Sequence, residues 1–265
     1  TPVPSSAASD VYKRQALRLE ASDTSEIVSQ VLYGESFKVL EQRKYWSRIR
    51  LAIDKYEGWI DNKQFKYIKD YVYKDLQKET SLLTTDLVDF ITDENQKLHP
   101  ILLGSCLNGL PYLKHQFEGA KAKGNLDKSN IVDTAMLYLN TPYLWGGKTP
   151  FGIDCSGFTQ MVYRLNGFNI LRDASQQASQ GEALSFIEES SPGDLAFFDN
   201  SEGEITHVGI IMKDNRIIHA HGKVRIDLLD QSGIYNVDSQ THSHKLRVIK
   251  TCLLYTSPSP RDIGP

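Results

Sequence analysis

Of the three cysteines in this chain, Cys106, Cys155 and Cys252, one is set where a nucleophile would be made. From Asp154 to Asn166 the apolar residues Phe158, Met161, Val162 and Leu165 recur at helical spacing, which predicts an amphipathic helix stopped by Gly167. Cys155 falls in its first turn, off the apolar stripe and between Asp154 and Ser156. There the helix macrodipole and free backbone N–H groups favour negative charge, so the thiol pKa is expected to fall. A thiolate nucleophile needs a base and a group that orients the base. His207 opens one β-prone run and His219 lies within the next. Strand parity decides whether they meet. A two-residue loop, Asp214-Asn215, would put them on opposite faces. A three-residue loop, Lys213 to Asn215, pairs Met212 with Arg216 and leaves both histidines on one face as diagonal neighbours. Asn215 favours the longer loop, because its last residue takes the left-handed conformation that Asn tolerates.

The elements that must hold these groups can be read around them. Ser129 or Asn130 caps a helix with Ile131, Val132, Ala135, Met136 and Leu139 on one face, ended by Thr141-Pro142. After Gly146-Gly147 and Pro150 comes the Cys155 helix. Beyond Pro192-Gly193, four runs (DLAFFD, HVGIIM, RIIHAH, KVRIDLL) predict an antiparallel sheet. Residues 128–250 therefore read as an α+β domain, with helices packed on an antiparallel sheet. Residues 16–68 alternate short strand-like runs with turns, the pattern of a small β-barrel. Residues 69–127 carry strand-length apolar pieces broken by Gly, Pro and Asn, fitting a structured connector or a degenerate second barrel. Cys106, in an apolar run there, is expected to be a buried small hydrophobe.

Residues 1–15 and 251–265 are rich in Ser and Pro and show no periodicity. Both resemble translated sequencing-adapter read-through and are set aside as artefactual or disordered tails, Cys252 with them. A leader could have been lost upstream, so the visible start does not assign a compartment. Hydrophobic residues make up 40% of the chain and charged residues 24%, an ordinary globular balance. A formal net charge of −3 supplies no basic field for nucleic acid or anionic membrane. No apolar run approaches the ~18 residues a spanning helix needs. Three cysteines without metal-like spacing give neither a disulfide framework nor a metal site, and no cofactor is expected.

Pro142-Tyr-Leu-Trp-Gly-Gly147, Gly152-Ile-Asp-Cys-Ser-Gly-Phe158, Arg172-Asp-Ala-Ser175, Pro192-Gly-Asp-Leu195, His207-Val-Gly-Ile210 and Ile218-His-Ala220 stand in the order of a known family. Residues 128–250 resemble the papain-like NlpC/P60 cysteine peptidases. Tyr33-Gly34-Glu35, Trp46 and Tyr56-Glu57-Gly58-Trp59-Ile60 resemble the bacterial SH3 (SH3b) domain. Together the two resemble γ-D-glutamyl-L-diamino acid peptidases acting on peptidoglycan stem peptides (L-Ala-γ-D-Glu-diamino acid). The resemblance implies Cys155 as nucleophile, His207 as base, His219 as the orienting residue, and Tyr143 beside the oxyanion. It implies Asp154, Ser156, Trp145 and Ser175 along the substrate groove. An SH3b domain closing one end of that groove would recognise a free amine through a carboxylate and a phenol, for which the candidates are Glu35 and Tyr56. The bacterial cell envelope (periplasm) is the expected location, and the cytoplasm remains open.

His221 shares the parity of His219 and competes with it as orienting residue. His99, His115, His242 and His244 show no partner pattern and are expected to be structural or surface residues. Two other functions compete with a peptidase. One is a wall-peptide-binding protein with a dead catalytic domain, against which the joint presence of Cys155, His207 and His219 argues. The other is a metal hydrolase on His207, His219 and His221, for which no carboxylate stands at a spacing such as His-Glu-x-x-His.

Overall fold

The fold is taken from a computed structural model that describes residues 6–9, 14–124 and 128–251. Seven strands, Ser6–Ser9 (β1), Arg14–Arg18 (β2), Ile27–Leu32 (β3), Ser36–Gln42 (β4), Trp46–Leu51 (β5), Glu57–Asp61 (β6) and Phe65–Tyr67 (β7), form one antiparallel sheet. Alternation builds it: in β5, Ser47, Ile49 and Leu51 are buried while Arg48 and Arg50 face solvent. Leu17, Val31, Phe37, Ile49 and Ile60 meet in its core.

One correction concerns the N-terminal segment. Ser6–Ser9, expected to lie in a tail, pairs with both β4 and β7, and Gln15 is buried in β2 opposite Val31. Strand pairing uses backbone groups alone, so small Ser and Ala residues without alternation can still pair. The rest of the N-terminal segment (1–5, 10–13), Cys252 and the remainder of the C-terminal segment (252–265) lie outside the described residues.

A short helix, Asp70–Leu76 (α1), leads to Leu82–Thr84 (β8), Val88–Thr92 (β9), Leu98–Leu102 (β10), Leu110–Leu113 (α2) and Lys121–Lys123 (β11). These strands make two separate two-stranded sheets, β8 with β11 and β9 with β10. Ile91, Ile101, Leu107 and Leu113 pack on Tyr33 of the first barrel. Cys106 departs from expectation: it is only half-buried, and its thiol donates to Asn108 Oδ1 at 3.3 Å.

The remaining elements are Ile131–Met136 (α3), Lys148–Thr149 (β12), Gly152–Ile153 (β13), Cys155–Leu165 (α4), Ala174–Gln177 (α5), Ala183–Leu184 (β14), Leu195–Asp199 (β15), Ile205–Met212 (β16), Arg216–His221 (β17), Lys223–Asp230 (β18), Gly233–Asn236 (β19) and Thr241–Lys250 (β20). Helix α3 is shorter than its periodicity predicts. The helix ends at Met136; Ile131, Ala135 and Tyr138 are buried, while Met136 and Leu139, expected on the same face, are exposed. The C-terminal strands run β14-β20-β15-β16-β17-β18-β19, and β19 also pairs with β20. The predicted antiparallel sheet thus closes into a six-stranded barrel, which leaves no free edge between β19 and β20.

Helix α4 joins the two barrels. Phe158, Met161 and Val162 share a buried cluster with Val208, Ile210 and Ile218 of β16 and β17. The polar side of the helix is buried as well, under the N-terminal barrel. Gln160 donates to Asp54 at 2.9 Å, and Arg164 donates to Glu35.

Candidate active site

The turn before α4 sets the nucleophile. Asp154 caps the helix by accepting from Gly157 N at 2.6 Å and also accepts from Gly146 N at 2.8 Å. Its carboxylate is gripped by both terminal nitrogens of Arg172, at 2.6 and 3.0 Å. Gly146 has φ of 75°, and a Cβ there would lie 2.2 Å from the Ile27 carbonyl of the N-terminal barrel. Only glycine lets the two domains approach here. Ser156 Oγ accepts from Arg172 at 2.9 Å, so Asp154 and Ser156 line the groove beside Cys155 with their polar atoms engaged by the Arg172 clamp.

Cys155 opens α4 and is 7% exposed. Contrary to the sequence expectation, its thiol pKa is not lowered. Burial, then the Asp154 charge, push it up to about 12, against the pull of the Val208 and Ser156 backbone N–H groups and Arg172. The helix N-terminus is outweighed because the sulfur is cut off from water and beside a carboxylate.

The β16–β17 loop is the three-residue turn, with Met212 paired to Arg216 and φ of 59° at Asp214 and 52° at Asn215. His207 and His219 therefore share a face, and His207 Nε2 lies 2.8 Å from His219 Nδ1. Behind them stands a residue the sequence reading missed. His219 Nε2 lies 3.0 Å from Asp227 Oδ2, and Arg225 holds both oxygens of that carboxylate at 2.7 and 2.9 Å. Although burial opposes it, hydrogen bonds from His219, Arg225 and Val237 N hold Asp227 well below the usual carboxylate range. An ionised Asp227 only accepts, so His219 carries its proton on Nε2 and presents a bare Nδ1. His207 must then donate from Nε2, which leaves its Nδ1 free to take a proton. Burial, then the neighbouring imidazoles of His219, His244 and His221, hold His207 well below its usual pKa; burial likewise lowers His219.

His221 is exposed and pairs with Lys223, its ring centre 6.5 Å from that of His207. The hydrogen bond goes to His219 instead. His99, His115 and His242 bond to Asp93, Tyr33 and Asp230 respectively, away from the site. His244 corrects the reading that it has no partner, since its ring stacks on His207 at 4.1 Å. The sequence held one available signal for Asp227: an acid at an inward position of the apolar run KVRIDLL. For His244 it held none, because its place depends on barrel closure.

A groove of about 520 Å³ runs past Cys155, lined by Tyr143, Trp145, Ser175, Asp173, Tyr56 and Glu26. Burial, then the charges of Cys155 and Asp154, raise the Tyr143 phenol, which stays protonated. Tyr56 OH donates to Asp173 Oδ1 at 3.1 Å, and Trp145 Nε1 donates to Glu26 Oε1 at 2.6 Å. Glu35 is not in this groove. It is 4% exposed, bonded to Leu32 N and paired with Arg164 and Lys148. The expectation put Glu35 at the groove end, but Arg164 and Lys148 of the catalytic domain cover it. Glu26, which the sequence reading passed over, is the N-terminal barrel's carboxylate in the groove. Among the described residues, no group of three or more His, Cys, Asp or Glu side chains could hold a metal ion.

A cysteine at a helix start, its thiol meeting the backbone N–H of Val208 next to the His207–His219–Asp227 relay on the barrel, is the arrangement of a papain-like thiol hydrolase. Residues 140–243 match the NlpC/P60 family, and residues 17–65 match the bacterial dipeptidyl-peptidase SH3 domain. The chain carries an NlpC/P60 domain behind a bacterial SH3 domain. It is 26% identical over 235 residues to the γ-D-glutamyl-L-lysine dipeptidyl-peptidase of Bacillus cereus, covering 77% of this chain and 70% of that protein. It is 27% identical over 250 residues to dipeptidyl-peptidase 6 of Lysinibacillus sphaericus, covering 82% and 90%. Its fold matches the crystal structure of an NlpC/P60 family protein from Bacillus cereus with a TM-score of 0.74 at 21% identity, over 94% of this chain and all of that one.

Proposed function

We propose that the protein is a cysteine peptidase that hydrolyses the γ-D-glutamyl-L-diamino acid bond of peptidoglycan stem peptides. The observation that carries this reading is the directed chain from His207 through His219 to Asp227, which leaves Nδ1 bare on His207, the residue next to Val208, whose backbone N–H meets the thiol of the helix-start Cys155. The names of the two relatives support the bond and the removal of a dipeptide. Cys155 attacks the γ-carbonyl while its proton passes to His207 Nδ1. The imidazolium is stabilised by His219, which accepts from Nε2, and by Asp227 behind it. Collapse of the tetrahedral intermediate expels the diamino acid's amine, which takes the proton from His207. Water activated by His207 then hydrolyses the thioester and frees Cys155.

The N-terminal barrel contributes Tyr56 and Glu26 to the groove, beside Asp173. A phenol and two carboxylates suit the free amine of an N-terminal L-Ala, so short released peptides are the preferred substrates over intact wall. Such substrates arise at the cell envelope, where we place the protein. The test is release of the diamino acid from L-Ala-γ-D-Glu-L-Lys and its diaminopimelate counterpart, alongside intact sacculi. Turnover of the tripeptides that Cys155→Ala abolishes supports the reading; a Cys155→Ala protein with more than a tenth of wild-type turnover would overturn it.

A further inference from the structure

The base is held by more than its relay. Strand β20 returns across the barrel to pair with β19, Ile234 opposite His244, and this closure carries His244 onto His207. The two imidazoles are stacked, ring centres 4.1 Å apart and planes 23° apart. Every other ring near His207 is farther away or steeper: His219 at 5.0 Å and 85°, Phe198 at 5.8 Å and 46°, His221 at 6.5 Å and 73°.

We propose that His244 is a positioning residue for the base: its ring, laid flat on His207, fixes the orientation of that imidazole and shields its face from water. The inference rests on the peptidase reading above. A ring tethered by one hydrogen bond can pivot about it and carry the bare Nδ1 out of its set direction. A parallel neighbour at van der Waals distance removes that freedom. The same neighbour lends a π face to the positive charge that appears on His207 when it takes the thiol proton.

His244 suits this part because it stays uncharged. Its ring is half-buried, with Nδ1 2.8 Å from Ser243 Oγ. Burial, then His219 and His221, lower its pKa to about 4 against the opposing pull of Asp227. Phe198, from β15, faces both rings and carries no charge. The stack therefore needs an aromatic ring at this position but no exchangeable proton.

The experiment compares His244→Ala and His244→Phe in the full chain. It measures kcat, KM and the pH profile of kcat/KM on the tripeptide, the unfolding midpoint, and the titration of the His207 ring by NMR. His244→Ala should lower kcat about tenfold or more with KM little changed. Water admitted to His207 should raise its titration point and move the acid limb of kcat/KM to higher pH. His244→Phe should restore both. Wild-type kcat and an unmoved His207 titration in His244→Ala would overturn the inference, as would a His244→Phe enzyme no better than His244→Ala. A loss accompanied only by a lower unfolding midpoint would mark a structural role and overturn it too. A wild-type chain without turnover would sink the peptidase reading instead, and the NMR titration would still decide the stack.

Discussion

His219 stands between His207 and Asp227, with one ring nitrogen 2.8 Å from the first and the other 3.0 Å from the second. Its two contacts have opposite sense, one accepted and one donated, so the carboxylate dictates which nitrogen of His207 is bare. Asp227→Asn removes that dictation, because an amide can present N–H to His219 and reverse the chain. The expected loss in kcat is at least tenfold and up to about 10⁴-fold, with the fold retained by circular dichroism. Activity within twofold of wild type would show that His219 needs no partner.

The thiol of Cys155, with its pKa near 12, is protonated in the free enzyme at neutral pH. Alkylation of Cys155 by iodoacetamide should therefore keep accelerating past pH 9. A plateau below pH 7 would reveal a preformed thiolate–imidazolium pair and contradict this.

Glu35 predicts a stability effect, not a specificity effect. Its carboxylate is buried with Lys148 and Arg164, which hold it below its ordinary value of 4.5 although burial itself pushes upward. Glu35→Gln leaves two buried cations short of their partner and should cost about 3–5 kcal/mol in denaturant unfolding. Because the folded-state pKa is the lower one, the contribution is fully present above pH 4.5 and is lost as pH falls through the folded value. Wild-type stability in Glu35→Gln would count against the ion pairs.

The groove end predicts a demand for a free amine. Acetylating the substrate's L-Ala should lower kcat/KM at least tenfold, about 1.4 kcal/mol. That penalty should shrink in Glu26→Gln or Asp173→Asn, whose carboxylates line the groove. Equal kcat/KM for the two peptides would show that no amine pocket operates.

Local rules made much of this legible from the sequence. A cap and a 3.6-residue period placed Cys155 at the start of α4, and the length of one loop put His207 and His219 on the same face. Both depend only on neighbours along the chain. Five other features were decided by tertiary packing. Asp227 stands behind His219 because β17 and β18 pair, and His244 covers His207 because β19 and β20 close the barrel. Glu35 is buried and Glu26 faces the groove because one barrel docks on the other. The thiol pKa rises because desolvation is set by everything that surrounds a group, whereas the helix position that was expected to lower it is a property of a single turn.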